Sequence, residues 1–268
     1  MEGLLSRNAV LESLSLRDNS LELHAMNSVG RGVCNNGGAL TALDLFGQRC
    51  GPEAVSSFMQ QVTYAKNLLS LNIGMSNPED MGDQATASML RQNTVLTSLD
   101  FAHNKRAHHV VGALVNAKAP LTYLNLRGNH LDASLDRLVD MVNFNATITE
   151  LNLTRNFLPG SCGEQIALSL DLNKTLRVIH LEGNPMDPEI FDNINSKLAR
   201  NQTSKEEKAL LRERKIRERK IQKAGGEATV LEEEERKQEE LLARVQEQQA
   251  DLGHGRSMLR RANSSFRR

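Results

Sequence analysis

One nine-residue frame, apolar-x-x-apolar-x-apolar-x-x-polar, recurs seven times and dictates what this chain can fold into. It runs Leu11, Leu14, Leu16, Asn19; Leu40, Leu43, Leu45, Gln48; Leu68, Leu71, Ile73, Ser76; and Leu96, Leu99, Phe101, Asn104. It continues as Leu121, Leu124, Leu126, Asn129; Ile148, Leu151, Leu153, Asn156; and Leu176, Ile179, Leu181, Asn184. Successive copies start 29, 28, 28, 25, 27 and 28 residues apart. Within each frame alternate residues point the same way, so the paired apolar residues mark a short strand with one inward face. Apolar residues at helical spacing follow: Val55, Phe58, Met59 and Val62; Leu135, Leu138, Val139 and Val142; Ile190, Ile194 and Leu198. A strand and a helix of this size cannot bury their apolar faces alone. Stacking successive units buries one continuous core between a parallel sheet and a layer of helices. Helices are bulkier than strands, so the stack must curve with the sheet inside.

Two polar columns accompany the frame. Its closing residue (Asn19, Asn104, Asn129, Asn156, Asn184) carries an amide able to satisfy backbone groups left open where the chain leaves the strand. A second column, Asn8, Asn93, Asn145, Asn173 and Asn201, falls where each helix ends. Asn tolerates the left-handed conformation that often terminates helices, and that conformation is expected there.

A period near 28 with a strand and a full helix per unit resembles the ribonuclease-inhibitor-like class of leucine-rich repeats. "LTSLDFAHN", "LTYLNLRGN" and "ITELNLTRN" lie close to that class's pattern. The resemblance covers residues 4 to about 201 and implies an α/β solenoid, a horseshoe segment with an inner parallel sheet and outer helices. It says little about function, because members of the class bind very different partners. Two departures stand out. The fourth unit is three residues short around "HNKRAHHVVGALVNAKAP", and the first is Gly-rich around "SVGRGVCNNGG", where a short or frayed helix is expected.

The repeat domain is expected to span residues 1–203, preceded by only a partial capping helix in "EGLLSRNAVLESL". Terminal repeats need a polar outer face, so the first strand is a place for a partner to cover. A charged helical tail follows over residues 204–268. Residues 205–223 hold nine Lys/Arg against four Asp/Glu, residues 227–251 three against nine, and residues 252–268 five Arg and no acid. The formal net charge of zero thus hides a segmented polymer. Gly225-Gly226 breaks the tail, and Thr229 with Glu232 has capping-box spacing for a second helix. Gln238 and Gln248 interrupt its heptads, which argues for solvated or partner-docked helices over an autonomous coiled coil. The last residues, basic throughout, have the composition of a disordered end.

No run is long and apolar enough to span a bilayer, and the N-terminus lacks a basic-then-apolar leader. Cys34, Cys50 and Cys162 are odd in number and lie in separate repeats, which suits a reduced, cytoplasmic protein. There is no Gly-rich phosphate loop, metal-ligand spacing or nucleophile motif. No enzymatic activity, cofactor, metal or small-molecule substrate is therefore expected. His103, His108 and His109 sit in one loop-to-helix turn beside Lys105 and Arg106. With no Cys or carboxylate at ligand spacing in that turn, the cluster reads as a basic surface patch.

Binding is expected on the concave sheet face. Its exposed columns include Asp44, Asp100 and His180 in the middle and Phe46, Tyr123 and Arg127 to the sides. Phe46, Tyr123 and Arg127 depart from small polar residues and are the residue types favoured as interface anchors. In the tail, Arg212, Arg214, Lys215, Arg217, Arg219 and Lys220 would suit an acidic filament surface such as tubulin or actin. Nucleic acid is disfavoured by the acidic block. Ser264 lies three residues after Arg261, a basophilic-kinase spacing. Repeat proteins with charged helical tails resemble components of cilia and flagella, so the leading expectation is an interaction scaffold in a cytoskeletal or ciliary assembly. The alternatives are a small-GTPase regulator, since activators of the GTPase Ran use this repeat class, and a fragment of an immune-type receptor. No functional residue of the Ran activators can be matched onto this chain.

Overall fold

The computed structural model describes residues 1–202. The expectations for the tail, including Arg212 to Lys220, the coiled-coil question and Ser264, lie outside the described residues. Seven three-residue strands form one parallel sheet in sequence order: β1 Ser13–Ser15, β2 Ala42–Asp44, β3 Ser70–Asn72, β4 Ser98–Asp100, β5 Tyr123–Asn125, β6 Glu150–Asn152 and β7 Val178–His180. Their register pairs Leu43 with Leu71 and Leu99 with Leu124, so every frame stacks on its neighbour as the periodicity requires. The central leucines of β2 to β6 are 2% exposed or less. The helices are α1 Glu2–Arg7, α2 Leu23–Cys34, α3 Pro52–Val62, α4 Glu79–Gln92, α5 His108–Ala113, α6 Leu135–Phe144, α7 Gly160–Ser169 and α8 Pro188–Gln202. The architecture is an open, curved α/β solenoid with one core between sheet and helices.

The helical stripes fall where the spacing puts them, with one shift. Val55, Phe58, Met59 and Val62 are all buried on α3, whereas on α6 Met141 takes the inward place expected of Val139. The short fourth unit yields a helix of only six residues, α5. The first unit differs from expectation, because α2 runs a full 12 residues through Gly30 and Gly32. A Cβ on Gly32 would stand 2.8 Å from Leu5 Cβ, and one on Gly30 would stand 2.9 Å from Gln61 Cβ. The glycines are contact points that let α1 and α3 approach, and the packing they allow outweighs their poor helix propensity.

The Asn column at the helix ends also differs. Asn8, Asn93 and Asn145 have extended backbones, with ψ of 117°, 137° and 127°. Each side chain does the work instead. Asn93 Oδ1 accepts from the N–H groups of Val95 and Leu96 at 2.9 and 2.8 Å, while its Nδ2 donates to the Thr63 carbonyl of the preceding unit at 3.2 Å. Asn173 does the same with Thr175, Leu176 and Val142. An Asx turn tied to the neighbouring repeat satisfies groups on two units at once, which a left-handed backbone would not.

The left-handed conformation appears one place earlier than each frame's closing residue. Asp18, Gly47, Met75, His103, Gly128, Arg155 and Gly183 all have φ between +54° and +78°. The turn is built into every unit, and four of the seven hold it without glycine, at a steric cost of about 1–2 kcal/mol each. The closing side chains secure it. Asn156 donates to the Leu126 and Leu153 carbonyls at 2.9 Å and accepts from Asn129 N–H at 2.7 Å. Asn104, Asn129 and Asn184 bond alike, so the amides form a ladder across repeats four to seven. Asn19 donates to the carbonyl of its near neighbour Arg17.

Candidate functional site

The concave face is paved by the alternate residues of seven strands that do not point into the core. In the middle column Asp44, Asn72, Asp100, Asn125 and Asn152 each accept, through Oδ1, the backbone N–H two residues on, all at 3.0 Å. Asp44 and Asp100, expected to meet a partner, are therefore committed to the strand exits. The second oxygen of Asp100 accepts from Asn125 Nδ2 at 2.9 Å, and that of Asp44 takes the Arg17 guanidinium at 3.0 Å. Burial pushes the Asp100 carboxyl above the ordinary range, against the hydrogen bonds from Ala102 and Asn125, which pull it down.

The expected anchors do not form one patch. Phe46 is half-buried, with the Arg17 guanidinium 4.3 Å over its ring and its edge filling the space above Gly74, where a Cβ would stand 2.9 Å away. His180 pairs with Glu150 at 3.5 Å near the opposite end. Tyr123 and Arg127 flank Asn125 in the fifth repeat, three strands from Phe46 and so about 14 Å away at ordinary strand spacing. Arg127 is half-buried, and its Nε is buried without a hydrogen-bond partner. Beside it, His103 lies on Gly128 and Arg155 lies on Gly183, with room made only by the missing Cβ atoms. Burial, then the neighbouring Arg127 charge, hold His103 below its ordinary pKa. Arg127 and Arg155, from adjacent repeats, thus supply the positive charge at this edge of the sheet.

On the helical side the structure regroups the three histidines. His103 belongs to the sheet edge, while His108 and His109 open α5 with ring centroids 3.9 Å apart. The carboxylates absent from their own turn come from α4, one unit earlier. Asp80 Oδ1 is 3.3 Å from both His108 Nε2 and His109 Nε2. Asp83, wholly buried, is 3.3 Å from His108 Nδ1 and accepts from the His109 and Val110 N–H groups at 2.9 and 3.1 Å. The reading of a plain basic patch misses this, because it searched for ligands within the turn. The usable signal is the period itself: adding 28 to Asp80 gives His108.

Elsewhere, Cys50 and Cys162 are free thiols that burial pushes up to about 11, which makes them poor nucleophiles and ligands. Among the described residues no helix is long and apolar enough to cross a membrane.

Strand order, register and the paired asparagine columns define a leucine-rich-repeat solenoid. Solved structures share that fold. The leucine-rich-repeat-containing protein LegL7 from Legionella pneumophila superposes with a TM-score of 0.54 at 23% identity over 72% of this chain. The match spans 64% of LegL7's own length. Actin-binding site 2 of leiomodin-1 aligns at 19% identity over 70% of this chain and 95% of that one, with a TM-score of 0.44, too loose an overlap to carry an inference. No family model and no curated protein matches this chain.

Proposed function

We propose that the chain is a non-enzymatic protein–protein interaction scaffold, a cytoplasmic subunit of a cytoskeletal or ciliary assembly. One observation carries the reading: Arg127 on the concave face keeps a buried Nε with no partner of its own. Buried polar groups are nearly always paired, and an arginine beside an aromatic is the residue combination that anchors protein interfaces. A carboxylate from a partner laid across the fifth repeat would pair with the outer nitrogens of this guanidinium, with Tyr123 as the neighbouring contact. Phe46, already covered by Arg17, contributes shape more than energy. The filament end of the proposal rests on the tail, whose residues 205–223 carry +5 and suit an acidic protein surface.

Affinity purification of the full chain from its native cell tests both ends together. Charge reversal at Arg212, Arg214, Arg217 and Arg219 is expected to remove filament proteins from the captured set. Retention of the same filament proteins at equal yield would put recognition on the repeats, and capture of none by the unaltered chain would overturn the assembly reading.

A further inference from the structure

We propose that Asp80, His108 and His109 form a binding site for a divalent transition metal of the zinc class on the helical side of the solenoid. The three ligand atoms lie within 4.8 Å of one another, drawn from two consecutive repeats. Zinc holds imidazole nitrogens at about 2.0–2.1 Å and carboxylate oxygens at about 2.0–2.2 Å in a tetrahedron, whose nitrogen-to-oxygen edge is then about 3.3 Å. Both such edges measure 3.3 Å here, from Asp80 Oδ1 to His108 Nε2 and to His109 Nε2.

The surrounding bonds orient the lone pairs toward that point. Gln84 Nε2 donates to Asp80 Oδ2 at 3.0 Å and also lies 3.3 Å from His109 Nε2. An amide nitrogen can only donate, so here the single lone pair of His109 Nε2 accepts from Gln84, and metal binding would exchange that one neutral hydrogen bond for a coordinate bond. His108 presents the complementary arrangement. Its Nδ1 sits 3.3 Å from Asp83, a carboxylate with no solvent exposure, so Nδ1 carries the proton and Nε2 the lone pair. A carboxylate behind a ligating histidine is the usual second layer of such sites, fixing tautomer and ring orientation. Asp83 is itself immobilised by the two α5 N–H groups it accepts. His108 and His109 are half-buried and Asp80 is exposed, which leaves a fourth position open to water or to a partner's side chain. Two imidazoles and one carboxylate favour zinc or copper over the hard ions magnesium and calcium.

The test is a competition titration of Zn²⁺ on the full chain against a chromophoric chelator, repeated with Asp80→Asn, His109→Gln and, as a control, the exposed His24→Gln. The expected result is one equivalent bound by the parent and the His24 variant, with binding weakened at least about tenfold in the other two. Thermal melts with and without Zn²⁺ supply the second readout, and Zn²⁺ should raise the melting temperature of the parent but not of the two site variants. Mg²⁺ should do neither. Equal Zn²⁺ affinity in all four proteins, or no binding by the parent, would overturn the site.

Discussion

Repeats four to seven and repeats one to three share a backbone but close it differently. In the later four, an asparagine at the strand exit reaches into the unit before it, and Asn104, Asn156 and Asn184 into their own turns as well; all four are 8% exposed or less. In the earlier three, the same place holds Asn19, Gln48 and Ser76. Gln48 spans the gap to Leu16's carbonyl and accepts from Leu21 N–H. Ser76 is fully buried, too short to reach across, and its Oγ has no partner. The early repeats compensate on the helical side, where Gly30 and Gly32 let α1, α2 and α3 press together. One fold is thus secured at two different layers, and the period alone does not say which.

Substitutions can break that contrast, the largest effect first. Asn156→Ala removes two donated bonds and one accepted bond in the core of the ladder, leaving carbonyls and an N–H unpaired. It is expected to cost about 2–4 kcal/mol in urea unfolding, whereas Ser76→Ala at the same repeat position should change stability by less than about 0.5 kcal/mol. Equal costs at the two positions would mean the ladder is not what holds the later repeats. A smaller effect separates two helical glycines. Gly32→Ala forces a Cβ to 2.8 Å from Leu5 and 3.2 Å from the Glu2 backbone, and should destabilise by about 1 kcal/mol net of the helix propensity gained. Gly112→Ala on α5 meets only Arg137 Cδ at 3.5 Å and should stabilise by up to about 1 kcal/mol. The same urea-unfolding comparison checks both.

What could be read in the chain was whatever repeats locally. Alternation within the frame put Leu43, Leu71 and Leu99 inward, and the constant period placed Ser70 beside Ser98 and Tyr123 beside Glu150. What escaped depends on the neighbouring unit. The column of Asn8, Asn93 and Asn145 looks like a set of helix stops until the amides of Asn93 and Asn145 are seen bonding a repeat away. Thr97, Thr122 and Thr149 form a third column, each hydroxyl donating to a carbonyl one repeat back, with no local signature at all. Phe46 looks like a free aromatic until Arg17 and Gly74 flank it, and His108 looks unaccompanied until Asp80 and Asp83 arrive from one period earlier. In a solenoid, residues about 28 apart are lateral neighbours, so site spacing has to be sought at the period and not within a turn.

The functional account rests on the fifth repeat's open face, and one measurement tests it most directly. The double variant Tyr123→Ala/Arg127→Ala would be compared with a variant of the exposed turn that follows α7, Leu172→Ala, for retention of partners captured from the native cell. The account predicts that the double variant loses the partner by about thirtyfold or more, equivalent to at least about 2 kcal/mol, while Leu172→Ala keeps it. Undiminished capture by the double variant, with loss in Leu172→Ala, would contradict the account and move recognition to the helical side.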